Sequence, residues 1–272
     1  MRKPILRAAV IAVALLTSTG VIAQAAQFTT DPNAGTDVAV RDDIQPLAPL
    51  TITQSTDPDT LEDNTSVACQ DVGGTTENSW LRLFDLDDDH GWVDTFRVAS
   101  IEWGIQRVIG SLDLTVNVYC LDETLPFLYE FMVLKDAVVV PLADEVLTFH
   151  STQIGGSCDS LTEDMAIDLH AEDCNIVGCT SCFIGTNALG QTAPTYIASA
   201  SCGFPDPTDL TGQGYPNSHL VMKVNGVDDL PDDDGGSDDG GDVPATTSVG
   251  AVLLLLILLG SGAYFLRRRA SL

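Results

Sequence analysis

The chain of 272 residues is long enough for one or two domains, and its 12 basic against 39 acidic residues give a formal net charge of −27. That balance excludes nucleic acid as a partner, because a polyanion would be repelled, and it disfavours an anionic lipid surface. A hydrophobic content of 44% excludes wholesale disorder, and the seven cysteines raise the question of redox compartment.

In chain order, residues 1–25 read as a secretory signal peptide. Arg2, Lys3 and Arg7 precede the apolar run from Ala8 to Leu16, and Ala23-Gln24-Ala25 offers small residues to a signal peptidase, with cleavage after Ala25 or Ala26. Residues 26–65 are rich in Thr, Asp, Pro and Ala, with turn signals at Asp31-Pro32 and Asp57-Pro58, and read as a mobile leader.

Residues 66–226 change to short alternating runs. Leu112, Leu114, Val116, Val118 and Cys120 point one way and Asp113, Thr115, Asn117 and Tyr119 the other, which is the period of a half-buried strand. The alternation recurs in Phe127, Tyr129, Phe131 and Val133, in Met165, Ile167 and Leu169, and in Leu220, Met222 and Val224. It slips by one between Val98 and Ile101, which predicts a bulge near Ala99 or Ser100. With no run long enough for a substantial helix, the sequence predicts an all-β sandwich of roughly eight to ten strands.

All seven cysteines lie in the part expected to be exported, where oxidation is the default. An odd number leaves at least one unpaired, and Cys120 is expected to be that thiol because it continues the inward apolar row. The disulfide candidates are then Cys69, Cys202, Cys158, Cys174, Cys179 and Cys182, with Cys69 and Cys202 favoured as a pair. Cys179 and Cys182 could also be half a zinc site or a redox motif, but a second two-residue knuckle is missing and the segment runs into a strand.

The acidic loop from Asp85 to Asp94 is the best metal candidate. Asp85, Asp87, Asp89 and Asp94 place oxygen ligands around Gly91, the pattern calcium takes, while the glycine position excludes an EF-hand. A solvated turn is the plainer reading. No GxSxG elbow, HExxH, P-loop or dinucleotide fingerprint supports catalysis. The four histidines are scattered, and His170 and His219 are expected on an outward, exposed face. Trp80, Trp92 and Trp103 are expected to pack the core rather than to form a sugar-stacking surface.

Residues 227–248 begin as an Asp/Gly/Ser spacer and end in Val243, Pro244, Ala245 and Thr246. Residues 249–266 are apolar and uncharged, sufficient for a transmembrane helix, and residues 267–272 are a basic tail whose Arg267, Arg268 and Arg269 hold that end in the cytoplasm. The order of acidic spacer, Pro-containing motif, apolar helix and arginines resembles the exosortase-type sorting tails of the PEP-CTERM class and its IPTL-like variants. Ala245-Thr246 stands where the type motif has Glu. The resemblance implies cutting at the motif by a membrane-embedded cysteine transpeptidase, with release or surface attachment. A plain single-pass anchor is the alternative.

The core also resembles an uncharacterised jelly-roll-like domain of exported, surface-sorted bacterial proteins, through Ser79-Trp80-Leu81-Arg82-Leu83-Phe84, Ser100-Ile101-Glu102-Trp103-Gly104-Ile105, Phe183-Ile184-Gly185-Thr186-Asn187 and Cys202-Gly203-Phe204-Pro205. The resemblance implies fold and location and transfers no catalytic residue. The function expected is adhesive, structural or ligand-binding, outside the cytoplasm, with carbohydrate or protein as ligand and calcium as the one cofactor to consider. The alternative is a secreted hydrolase or carbohydrate-binding accessory.

Overall fold

The computed structural model describes residues 25–41 and 50–227. The expected signal peptide up to Gln24, the spacer beyond Val227, the sorting motif Val243 to Thr246, the apolar run 249–266 and Arg267 to Arg269 lie outside the described residues. Among those described, no helix is long and apolar enough to cross a membrane.

Nineteen strands are described. β1 (Gln27–Thr30), β2 (Val38–Val40), β3 (Thr51–Ile52) and β4 (Thr60–Glu62) come first. β5 (Val67–Asp71), β6 (Gly74–Thr75), β7 (Asn78–Phe84), β8 (Thr95–Ile109) and β9 (Leu112–Asp122) follow. After a 3₁₀ turn at Tyr129–Phe131 come β10 (Val133–Leu142), β11 (Glu145–Gln153), β12 (Ser157–Asp159) and β13 (Glu163–Ala171). A one-turn helix, α1 (Cys174–Val177), precedes β14 (Ser181–Ile184), β15 (Thr186–Asn187), β16 (Tyr196–Ser199), β17 (Phe204–Asp209), β18 (His219–Leu220) and β19 (Met222–Val227).

One six-stranded sheet has the order β10-β9-β13-β7-β16-β17. The other runs β11-β8-β19-β3, and β12 and β14 also pair with the long strand β8. Pairing within both is antiparallel. The inward residues of the two sheets meet in one core: Leu114, Val116 and Val118 of β9, Ile167 and Leu169 of β13 and Trp80 of β7 pack with Ile101, Trp103 and Ile105 of β8 and Val224 of β19. Each such fully buried side chain contributes about 1.5–3 kcal/mol, and both buried indoles keep a partner, Trp80 Nε1 donating to the Val67 carbonyl at 2.7 Å and Trp103 Nε1 to Thr152 Oγ1 at 2.9 Å. The fold is therefore an all-β sandwich, with Trp92 half-buried and edge-on to Phe96.

The expected bulge is present. Asn225 sits opposite Ser100 and Gly226 opposite Val98, so Ala99 is the extra residue of β8. Gly226 suits this position because a Cβ there would lie 2.7 Å from the Phe96 ring.

Of the stretch expected to be a mobile leader, the described residues, 26–41 and 50–65, are folded onto the core. β1 pairs with β5, β3 with β19 and β2 with β4, and Leu61 is fully buried. Its polar composition is what misled, because here the polar groups are paired. Arg107 bonds Asp31 at 2.6 Å and Asp63 at 3.3 Å, Lys223 bonds Asp59 at 2.5 Å, and Arg41 bonds Glu102. Three of the six basic residues outside the two chain ends thus join this segment to the sandwich. Such charge-assisted contacts substitute for the apolar periodicity that marks a core element.

The cysteine assignment needs one correction. Cys69–Cys202 is bonded as expected, and Cys174–Cys179 is a second bridge. Cys120 is not the free thiol: it is bonded to Cys158, and Cys182 is the buried cysteine left over. The reason lies in the same alternation that made Cys120 look like a core residue. Its inward direction aims it across the sandwich at Cys158 on β12, which pairs with β8 of the opposite sheet.

The run Phe127, Tyr129, Phe131 and Val133 is not a strand up to Met132. After Pro126 the backbone closes 3₁₀-type bonds, Phe131 N to Leu128 O at 3.0 Å and Met132 N to Tyr129 O at 3.2 Å, and the β9–β10 connection folds over the outer face of the first sheet.

Candidate functional site

The outward residues of four adjacent strands fall in register. Thr115 of β9, His170 of β13, Ser79 of β7 and Ala198 of β16 form one row across the sheet. Asn117, Asp168, Leu81 and Tyr196 form the next, and Tyr119, Ala166 and Leu83 the third. Phe127, Tyr129 and Met132 from the β9–β10 connection cover the apolar part of this face, packing with Leu81, Ala166 and Tyr196. The polar part stays open as a pocket of about 400 Å³, lined by Ser79, Asn117, Asp168, His170, Tyr119 and Tyr129, with Glu77, Ser199 and Pro205 at one side.

Asp168 is 2% exposed. Its Oδ2 accepts from Asn117 Nδ2 at 3.3 Å, and its Oδ1 is buried with no hydrogen-bond partner. Burial pushes the carboxyl up to about 7, against the lowering effect of Ser79 and Asn117. The Tyr129 hydroxyl is also buried without a well-aligned hydrogen bond, and burial followed by the Asp168 charge, against a weaker lowering by Ser79, drives that phenol well above its ordinary range. Tyr119 is pushed up to about 12 by burial and Asp168. Ser79 Oγ lies 3.0 Å from His170 Nδ1. Burial holds the imidazole below its usual range despite Glu172 and Glu77, so it is neutral at neutral pH. Glu77 is drawn up by burial, but the bonds from Ser201 (N 2.8 Å, Oγ 2.7 Å) and Ser199 outweigh this and lower it.

A scan against protein-family models finds no match for this chain, and neither the curated proteins nor the solved structures yield one. The chemistry of the site therefore rests on its geometry. Serine, histidine and aspartate stand together, but not as a relay: Asp168 bonds Asn117 rather than the imidazole, and Ser79 meets Nδ1, the nitrogen an orienting acid would take in a triad. What the pocket presents is a buried carboxyl and a phenol with unused hydrogen-bonding capacity, flanked by two aromatic rings.

The acidic loop is assembled only in part as expected. Carboxylate oxygens of Asp85, Asp87 and Asp88 lie within 4.8 Å of one another, and Asp89 and Asp94 are outside that group. The turn is closed by its own bonds, Asp88 N to Asp85 Oδ1 (3.0 Å) and to Asp87 Oδ1 (2.7 Å), with Gly91 N on the Asp87 carbonyl. One oxygen each of Asp85 and Asp87 is thus already engaged by the same amide. Burial and the neighbouring aspartates raise the Asp85 carboxyl, and Asp164 rises to about 6 for the same reasons.

His219 is not on an exposed face. It is buried, its Nδ1 accepting from Gly190 N (2.9 Å) and its Nε2 at 2.9 Å from the Pro216 carbonyl. Since the amide can only donate, the proton sits on Nε2 and the residue serves as a structural bridge. His170 is half-buried, not exposed, and lines the pocket. Cys182 is held in the core with its thiol pushed up to about 12 by burial and Glu145, which removes it from thiolate chemistry.

Proposed function

We propose that this is an exported, surface-presented sandwich of jelly-roll type that captures a small polar ligand in the outer-face pocket without catalysis. The observation carrying the ligand-binding reading is that Asp168 and Tyr129 both line one cavity, and that Asp168 Oδ1 and the Tyr129 hydroxyl are buried with no hydrogen-bond partner among the described residues. Buried polar groups left unsatisfied cost about 1–3 kcal/mol each, and a ligand that bonds them recovers that cost. The export reading rests on residues 1–25 and the tripartite tail, in which residues 249–266 would span the membrane and Val243 to Thr246 would be the cleavage motif. Thermal melting of the mature protein against a library of sugars, amines and amino acids tests the binding role. Ligands that raise the melting temperature of the wild type and fail with Tyr129→Phe support it; a library with no such ligand refutes it.

A secreted hydrolase is the second reading, favoured by the 3.0 Å contact of Ser79 with His170. Turnover of an acyl ester that disappears in Ser79→Ala would replace the binding role with this one.

A further inference from the structure

We propose that the pocket is selective for a small organic cation, whose ammonium group bonds the Asp168 carboxylate beside the rings of Tyr119 and Tyr129. This rests on the reading that the pocket binds a ligand, and it specifies the charge of that ligand.

Two carboxyl groups, Asp168 and Glu77, line the cavity, and among the described residues no lysine or arginine does. An anionic ligand would therefore meet no opposite charge in this lining. His170 does not change this sign at neutral pH, because burial lowers an imidazole that is already mostly neutral there. Asp168 is the decisive group: 2% exposed, bonded by the Asn117 amide, with the Ser79 hydroxyl as its other neutral neighbour and no well-aligned hydrogen bond on Oδ1. A buried carboxylate is stabilised most by a cation with N–H donors, through a charge-assisted bond of roughly twice the strength of a neutral one. The Tyr119 and Tyr129 rings, edge to face with centroids 6.5 Å apart, make one aromatic wall of the cavity, and a ring face attracts a desolvated ammonium. A bare divalent ion fits less well, since calcium takes six to eight oxygens and the cavity offers one free carboxylate oxygen and a phenol.

An ammonium ion entering against the protonated Asp168 forms the ion pair as the carboxyl proton leaves to solvent. The titratable groups around Asp168 are Tyr119 on β9, His170 on β13, Glu77 beside β7, Tyr129 on the covering segment and, through the Tyr129 amide, Asp206 on β17. The tyrosines stay protonated and Glu77 ionised across the range tested, so the released proton is that of Asp168 or His170, and its loss in Asp168→Asn assigns it to Asp168.

Isothermal titration of the full mature chain near pH 6, with putrescine against butanediol and glucosamine against glucose, tests this. At least one amine is expected to bind roughly tenfold or more tightly than its neutral partner. With putrescine, buffers of different ionisation enthalpy should report release of about one proton near pH 6 and almost none well above pH 8. Asp168→Asn should remove the preference, and proton release by the wild type stands even if that variant folds poorly. Equal or tighter binding of the neutral partners overturns the charge assignment and leaves the ligand-binding reading standing. Amine binding without proton release, binding of calcium chloride that depends on Asp168, or no binding by any of the four small molecules also overturns it.

Discussion

The buried Asp168 makes a specific demand on stability. Its carboxyl rises from an ordinary value of 3.8 to about 7 in the folded chain, because burial disfavours the charged form. At about 1.36 kcal/mol per pH unit, the rise corresponds to about 4 kcal/mol between the protonated and ionised limits. The folded state holds this proton more tightly than the unfolded state does. The stabilising contribution is therefore complete below about pH 4 and is lost as pH rises through about 7. Since Asp168 is fully buried, solvent screening removes little of it. Asp168→Asn keeps the shape and the Asn117 contact but cannot titrate. Urea unfolding followed by fluorescence of the core indoles, Trp80 and Trp103, gives the stability of both proteins. The wild type minus variant difference should fall by about 4 kcal/mol between pH 4 and pH 8. A difference that stays flat refutes the buried-acid reasoning. A difference that rises with pH would mean an ionised carboxylate that the fold stabilises, and would refute it more directly.

Other expectations concern the frame around the site. Replacing Cys69 and Cys202 by Ser opens a loop of 133 residues and should cost about 5 kcal/mol, against about 2 kcal/mol for the Cys174–Cys179 pair with its separation of 5, as read from chemical denaturation. Without reductant, a thiol reagent should find no reactive group in the native protein and one after denaturation, which is Cys182. Gly185→Ala would place a Cβ 2.6 Å from the Gly104 carbonyl carbon and should destabilise by about 1–3 kcal/mol, whereas Gly212→Ala, whose nearest contact is 3.4 Å, should change the midpoint little. Mass spectrometry of the exported protein should show an N-terminus at Ala26 or Gln27; retention of residues before Ala25 would refute the signal peptide. Loss of the chain from near Val243 would mark sorting at the Pro244 motif, and an intact Leu272 would refute it.

The sandwich was legible because the alternation in β9, β13 and β19 is a direct record of which side chains face the core, and the one-residue slip at Ala99 is a direct record of the bulge. The Cys69–Cys202 bridge was also anticipated, whereas Cys120 was not, since an inward cysteine and a buried apolar residue leave the same pattern. Ion pairs leave none: Asp31, Asp59 and Asp63 look like loop residues until Arg107 and Lys223 are placed beside them. The pocket was hidden for two further reasons. Ser79, Asn117, Asp168 and His170 lie on three strands whose register sequence spacing does not give, and each one alone is an ordinary outward polar residue. Tyr129 completes the wall only because its segment is a 3₁₀ turn folded over the sheet, where the spacing of aromatic residues predicted a strand.

The outer face of the first sheet, as the proposed binding site, is open to direct test. Backbone and side-chain chemical-shift mapping of the mature protein, titrated with whichever amine or sugar raises its melting temperature, tests it most directly. The account predicts that the shifts converge on Asn117, Tyr129, Asp168 and His170. Shifts centred elsewhere, with these four unmoved at saturation, would contradict it.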